Sequence, residues 1–82
     1  MIEVARLHRF ENNGSSLKAF VDVIVAEGLV IKGLRIVQGK NGLFVAMPTQ
    51  KSKDGKWHNI VDVFDPELRE ELQQAVLAEY NP

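Results

Sequence analysis

The sequence predicts an α+β domain: a twisted, mainly antiparallel β-sheet of about five strands with a C-terminal α-helix. Three observations carry that expectation. Residues 2–64 fall into short alternating or apolar stretches separated by turn residues. From Asp65 onward the apolar spacing lengthens from strand-like to helical. The connections between the first four strands are of hairpin length, which favours an antiparallel meander over a crossover topology.

At the start, Ile2 and Val4 alternate with polar neighbours, and the pattern continues loosely through Leu7 to Phe10. Residues 11–16 are a turn cluster in which Asn13-Gly14 signals a hairpin, because both residue types tolerate positive φ. Residues 17–26 place Leu17, Ala19, Val21, Val23 and Val25 on one face, opposite Lys18, Phe20, Asp22, Ile24 and Ala26. Gly28 breaks this strand. Residues 29–37 are rich in β-branched side chains, and Gly33 marks a bulge or a close backbone contact. Residues 38–42 turn the chain into Leu43-Phe44-Val45-Ala46-Met47, an unbroken apolar run expected to be a strand buried on both faces. After Pro48 comes a polar loop, and residues 57–64 alternate as a fifth strand.

The last segment carries helix signals at both ends. Asp65 suits the N-cap, Pro66 the first helical position, and Glu67 adds favourable negative charge there. Leu68, Leu72, Ala75, Val76 and Glu79 follow helical spacing, with Leu77 and Tyr80 widening the apolar stripe. Asn81-Pro82 ends the helix.

The 82 residues are read as one domain, residues 1–82, without a cysteine to reinforce it. A chain this short buries a modest fraction of its surface, so self-association is an expected source of further burial. No apolar run approaches the roughly 18 residues of a membrane span, and Met1-Ile2-Glu3-Val4 does not open a signal peptide. A cytoplasmic location and no membrane partner are the expectations. The net charge of −1 conceals an asymmetry: residues 1–60 carry nine Lys/Arg against five Asp/Glu, a balance of +4, and residues 61–82 carry one against six, a balance of −5. Such a molecule can turn one basic face toward phosphates, or simply solvate its surface with both signs.

Catalytic patterns are missing from the sequence. His8 and His58 have no metal-ligand spacing or paired carboxylates around them. Ser15, Ser16 and Ser52 stand in turns rather than in a nucleophile elbow. Gly39-Lys40-Asn41-Gly42 reads as a hairpin turn, lacking the spacing of a phosphate loop. The expectation is a protein that is not an enzyme, with no cofactor, no metal and no small-molecule substrate.

The residues singled out for binding are Lys51, Lys53 and Lys56, in a segment that turns at Asp54-Gly55. Each lysine can approach a phosphate oxygen as a flexible point charge. Trp57 beside them has two readings: a base-stacking platform, or a core or interface anchor that buries a large apolar ring. Arg6, Arg9, Lys18, Lys32 and Arg35 extend the basic surface if the sheet gathers them on one face. One loop contacts few phosphates, so a twofold dimer presenting two loops would add their contributions.

Residues 36–48, Ile-Val-Gln-Gly-Lys-Asn-Gly-Leu-Phe-Val-Ala-Met-Pro, closely resemble the signature of the SpoVG family, the stage V sporulation protein G or septation regulators. The polar loop ending in Asp54-Gly55, the helix ending of residues 75–80, the opening residues 2–7 and Leu17-Lys18-Ala19 fit as well, so the similarity spans nearly the whole chain. The resemblance implies a small homodimeric α+β protein that binds DNA, and in some members RNA. Such proteins are associated with septation, cell division, sporulation or virulence genes, and no catalytic residues come with them. Carried onto this chain, it implies nucleic-acid contact by Lys51, Lys53 and Lys56 in the loop and by Arg69 on the helix. The helix departs from the family in reading Glu67-Leu68-Arg69-Glu70-Glu71-Leu72, where Glu70 and Glu71 repel phosphate and Asp65 or Glu67 can occupy Arg69. That shifts weight from the helix to the loop. The alternative is a non-enzymatic protein-interaction module that docks a partner through the Trp57 region or the acidic C-terminal helix.

Overall fold

The computed structural model describes residues 1–10 and 14–81. Its elements are β1 (Ile2–Arg9), β2 (Leu17–Val25), β3 (Leu29–Gly39), β4 (Gly42–Ala46), β5 (Thr49–Lys51), β6 (Trp57–Asn59) and α1 (Pro66–Tyr80). The first four form one antiparallel sheet in the order β1-β2-β3-β4, and β5 with β6 forms a separate two-stranded hairpin. The fold is α+β, a meander with one terminal helix. Asn13 of the expected Asn13-Gly14 turn lies outside the described residues, as does Pro82.

Register shifts bend the sheet at three places. Opposite Val21 and Val23, β3 advances from Leu34 to Ile31, leaving an extra residue beside Gly33. Gly33 has φ +84, and its N–H donates to Asp22 Oδ1 at 3.2 Å. The bulge expected at Gly33 is therefore present, with a carboxylate taking the amide that the ladder leaves over. Two further shifts fall between Val4 and Arg6 on β1 and between Leu17 and Ala19 on β2.

One face of the sheet is covered and the other is open. Ile2, Ala19, Val21, Val23, Leu34, Ile36 and Val45 form the core with Leu72 and Val76 of α1. Burial of the Val, Leu and Ile side chains contributes roughly 1.5–3 kcal/mol each, and there are few of them among the described residues, as expected for a small domain. The helix starts as its sequence indicates: Asp65 Oδ1 accepts from Glu67 N at 3.3 Å, and Pro66 is the first helical residue. It touches β1 and β4, and Gln73 Oε1 accepts from Val45 N at 3.3 Å.

Two local expectations need correction, and the turn that ends β2 has an added feature. Residues 43–47 do not make a strand buried on both faces; β4 is an edge strand, with Val45 buried and Phe44 42% exposed. Its apolar run has helix cover on one side only. Strand structure in residues 57–64 is confined to Trp57–Asn59, which pairs with Thr49–Lys51 instead of joining the main sheet. The turn between β2 and β3 is made by Ala26 and Glu27, both at positive φ (53° and 61°), with Gly28 N donating back to Val25 O at 3.3 Å.

Candidate nucleic-acid interface

The hairpin owes its shape to Ser52, Asp54 and Gly55. Gly55 N donates to Ser52 O at 3.0 Å and Ser52 N to Lys56 O at 2.8 Å. Gly55 adopts φ +85, a conformation that glycine enters without a Cβ penalty. Asp54 Oδ1 accepts from the Ser52 hydroxyl and from Lys56 N, the latter at 3.0 Å. The Ser52 hydroxyl bond first, and the Lys56 amide second, hold the Asp54 carboxyl below its ordinary pKa. The one carboxylate in the turn is thus occupied by the turn itself.

This leaves the cations available. Lys51, Lys53 and Lys56 are exposed, and none forms an ion pair among the described residues, where the single pair joins the Met1 amino group to Glu71 at 3.6 Å. Lys51 stands directly opposite Trp57 in the ladder, so the two side chains share one face of the hairpin. Trp57 is 66% exposed. Of its two readings, a core anchor is excluded within this chain; a stacking platform and an interface anchor both fit. β5 and β6 pack chiefly on each other, with Ile60 N donating to Pro48 O at 2.9 Å just below the strands.

Arg69 lies apart from the lysines. Its Nε and Nη2 donate to Val63 O at 3.1 and 2.6 Å, so its partner is a backbone carbonyl rather than Asp65 or Glu67. It lines a groove of about 320 Å³ together with Arg35, Asn59, Asp62 and Gln73. Arg35 is half-buried there and donates from Nη2 to Met47 O at 3.3 Å. The residue pattern alone assigns Arg35 only to a general basic surface. Its approach to Arg69 depends on the chain turning at Met47-Pro48, which no local pattern reveals.

The remaining sheet cations divide between the faces. Arg6 pairs with Asp22 in the ladder and Arg35 with Phe20, both on the open face, whereas Lys18 and Lys32 fall at register shifts and have no partner in the β2–β3 ladder. Arg9 goes the other way, its guanidinium carbon 4.3 Å from the Tyr80 ring centroid and its Nη2 on the Tyr80 carbonyl.

A four-stranded meander, one covering helix and a separate lysine-bearing hairpin define a small α+β domain. The chain belongs to the SpoVG family, whose model matches residues 1–82. It is 34% identical over 80 residues to a proposed septation protein, SpoVG, of Anaeromyxobacter sp. (strain Fw109-5), spanning 98% of this chain and 82% of that protein. It is 37% identical over 76 residues to the protein of that name from Staphylococcus aureus (strain JH9), spanning 93% and 75%. With the one from Macrococcus caseolyticus (strain JCSC5402) the identity is 40% over 67 residues, 82% of this chain and 58% of the other. No helix among the described residues is long and apolar enough to cross a membrane.

Proposed function

We propose that this chain is a non-enzymatic, cytoplasmic nucleic-acid-binding regulator in septation, cell division or sporulation control, acting as a homodimer through paired basic hairpins. The family supports the septation- or sporulation-related role. The observation that carries nucleic-acid binding is the hairpin: exposed Lys51, Lys53 and Lys56 without a carboxylate partner among the described residues, and Trp57 on the face of Lys51. Lysines held this way release counterions when they meet phosphates, and an indole beside them offers a surface for a base. Arg69 contributes from the helix with its Nη1, the rest of its fork being held by Val63.

Dimerisation has its own support. Phe64 is 91% exposed beside an apolar groove of about 270 Å³ lined by Ile2, Val25, Leu29, Ile31 and Leu68. A second copy seated there would cover this apolar surface and set two hairpins at a fixed spacing. The test is an electrophoretic shift series against single- and double-stranded DNA and RNA at two salt concentrations. Salt-sensitive retardation is expected, and no shift with any of the four would remove the reading.

The exposure of Trp57 also favours a second reading, a protein partner docked on the Trp57 region or the acidic helix. Protein partners that remain bound after nuclease treatment would support it, and their loss would count against it.

A further inference from the structure

We propose that the open face of the β1–β4 sheet is a second nucleic-acid site, selective for single strands, on which unpaired bases stack against Phe20 and its aromatic neighbours. It rests on the reading of the protein as a nucleic-acid binder, but it uses a different surface from the hairpin. The helix covers one side of the sheet only. On the other side Phe20 is 41% exposed and Phe44 42% exposed. His8, Phe10 and Phe20 form a connected cluster, with edge-on contacts at 5.1 Å between His8 and Phe10 and again between Phe10 and Phe20. Exposed rings on a sheet face stabilise the fold less than buried ones, yet each offers a π-face to a base.

Charge on this face selects the occupant. In the ladder Phe20 has His8 on one side and Arg35 on the other, and Arg6 lies two residues from His8 on the same strand. Arg6 thus lines the groove beside the rings and Arg35 is the cross-strand neighbour of Phe20. Among the described residues Glu3 and Asp22 are the carboxylates placed on this face by the ladder, and Asp22 is engaged by the Gly33 amide. A groove of about 200 Å³ lined by Arg6, His8, Phe20 and Asp22 opens beside the cluster. Aromatic rings bordered by guanidinium groups match a chain with exposed bases and a phosphate backbone. A duplex keeps its bases stacked internally and gains only the electrostatic part of this surface. Arg35 reaches past the β4 edge, where its Nη2 donates to Met47 O at 3.3 Å and it lines the groove shared with Arg69 and Asn59.

The test compares anisotropy titrations of fluorescein-labelled single-stranded RNA, single-stranded DNA and duplex DNA of one sequence. Phe20→Leu, which keeps apolar bulk and removes the aromatic ring, is expected to weaken single-strand binding about tenfold. Duplex affinity and the salt slope are expected to stay unchanged, because no cation is removed. Phe20→Trp is expected to retain single-strand binding. Single-strand affinity unchanged in Phe20→Leu, or single-strand and duplex affinity falling together, would overturn the proposal. Circular dichroism checks the fold; if Phe20→Leu is unfolded, Phe44→Leu is read by the same criteria. Unaltered protein that binds no nucleic acid removes this site and the function proposed above together. Duplex binding through the lysines with a silent Phe20→Leu removes this site alone. A Phe20→Arg variant that sediments as a monomer while the unaltered protein is a dimer would assign the face to a second copy instead, and overturn the proposal.

Discussion

Arg69 clamps the carbonyl of Val63 with two donors, Nε at 3.1 Å and Nη2 at 2.6 Å, tying the first turns of α1 to the segment that leads into it. Val63 lies between β6 and the Asp65 cap, in a stretch without strand pairing. Arg69→Ala is therefore expected to lower stability by about 1 kcal/mol, the scale of an exposed charge-assisted hydrogen bond. Arg69→Lys is expected to restore little, since an ammonium cannot reproduce the fork. Urea denaturation measures both, and a lysine variant as stable as the unaltered protein would show that charge alone is what counts.

Replacing Lys51, Lys53 and Lys56 together by alanine is expected to abolish detectable oligonucleotide binding and leave the fold intact. Single replacements are expected to reduce the slope of log affinity against log salt by about one each. Binding retained by the triple variant with an unchanged slope would reject the hairpin as the site.

Phe64→Asp is expected to convert a dimer into a monomer in sedimentation at micromolar concentration. At 91% exposure the ring adds little to the fold of one chain, so thermal unfolding of the isolated protomer is expected to change little. A Phe64→Asp protein that sediments as a dimer would locate the dimer contact elsewhere.

Glu27→Gly is expected to stabilise the protein by about 1 kcal/mol. Ala26 and Glu27 occupy the left-handed region at φ 53° and 61°, which glycine enters without a steric penalty. The check is the denaturation midpoint at unchanged slope. A lower midpoint would mean that glycine's extra freedom in the unfolded chain outweighs the relieved strain.

The hairpin turn is expected to loosen in acid. Asp54 has a depressed pKa, so its contribution is fully present above the ordinary aspartate value of about 3.9 and is lost as pH falls through its lower folded value. Carboxyl titration by NMR, with the Lys56 amide as reporter, follows this directly. A titration of Asp54 at or above the ordinary value would contradict the capping geometry.

Much of this architecture was legible in residue order. The Asp65-Pro66-Glu67 start of the helix, the Gly33 bulge and the Asp54-Gly55 turn each depend on groups within a few positions of one another or on glycine's freedom at positive φ. The position of β4 at an edge was not legible, because an apolar run looks the same whether one of its faces is covered or both. Residues 57–64 misled for a related reason: their alternation suits a strand, but pairing beyond Asn59 requires a neighbour that the fold does not place there.

The first four strands, the helix with its N-cap and the lysine-rich turn follow from the chain alone, since backbone preferences and short-range hydrogen bonds act over a few residues. Folding in three dimensions chose the rest: a carbonyl for Arg69, Tyr80 for Arg9, and an uncovered sheet face for Phe20. Those choices depend on strand order and on one helix being able to shelter only one side of a sheet, and both are properties of the assembled layers.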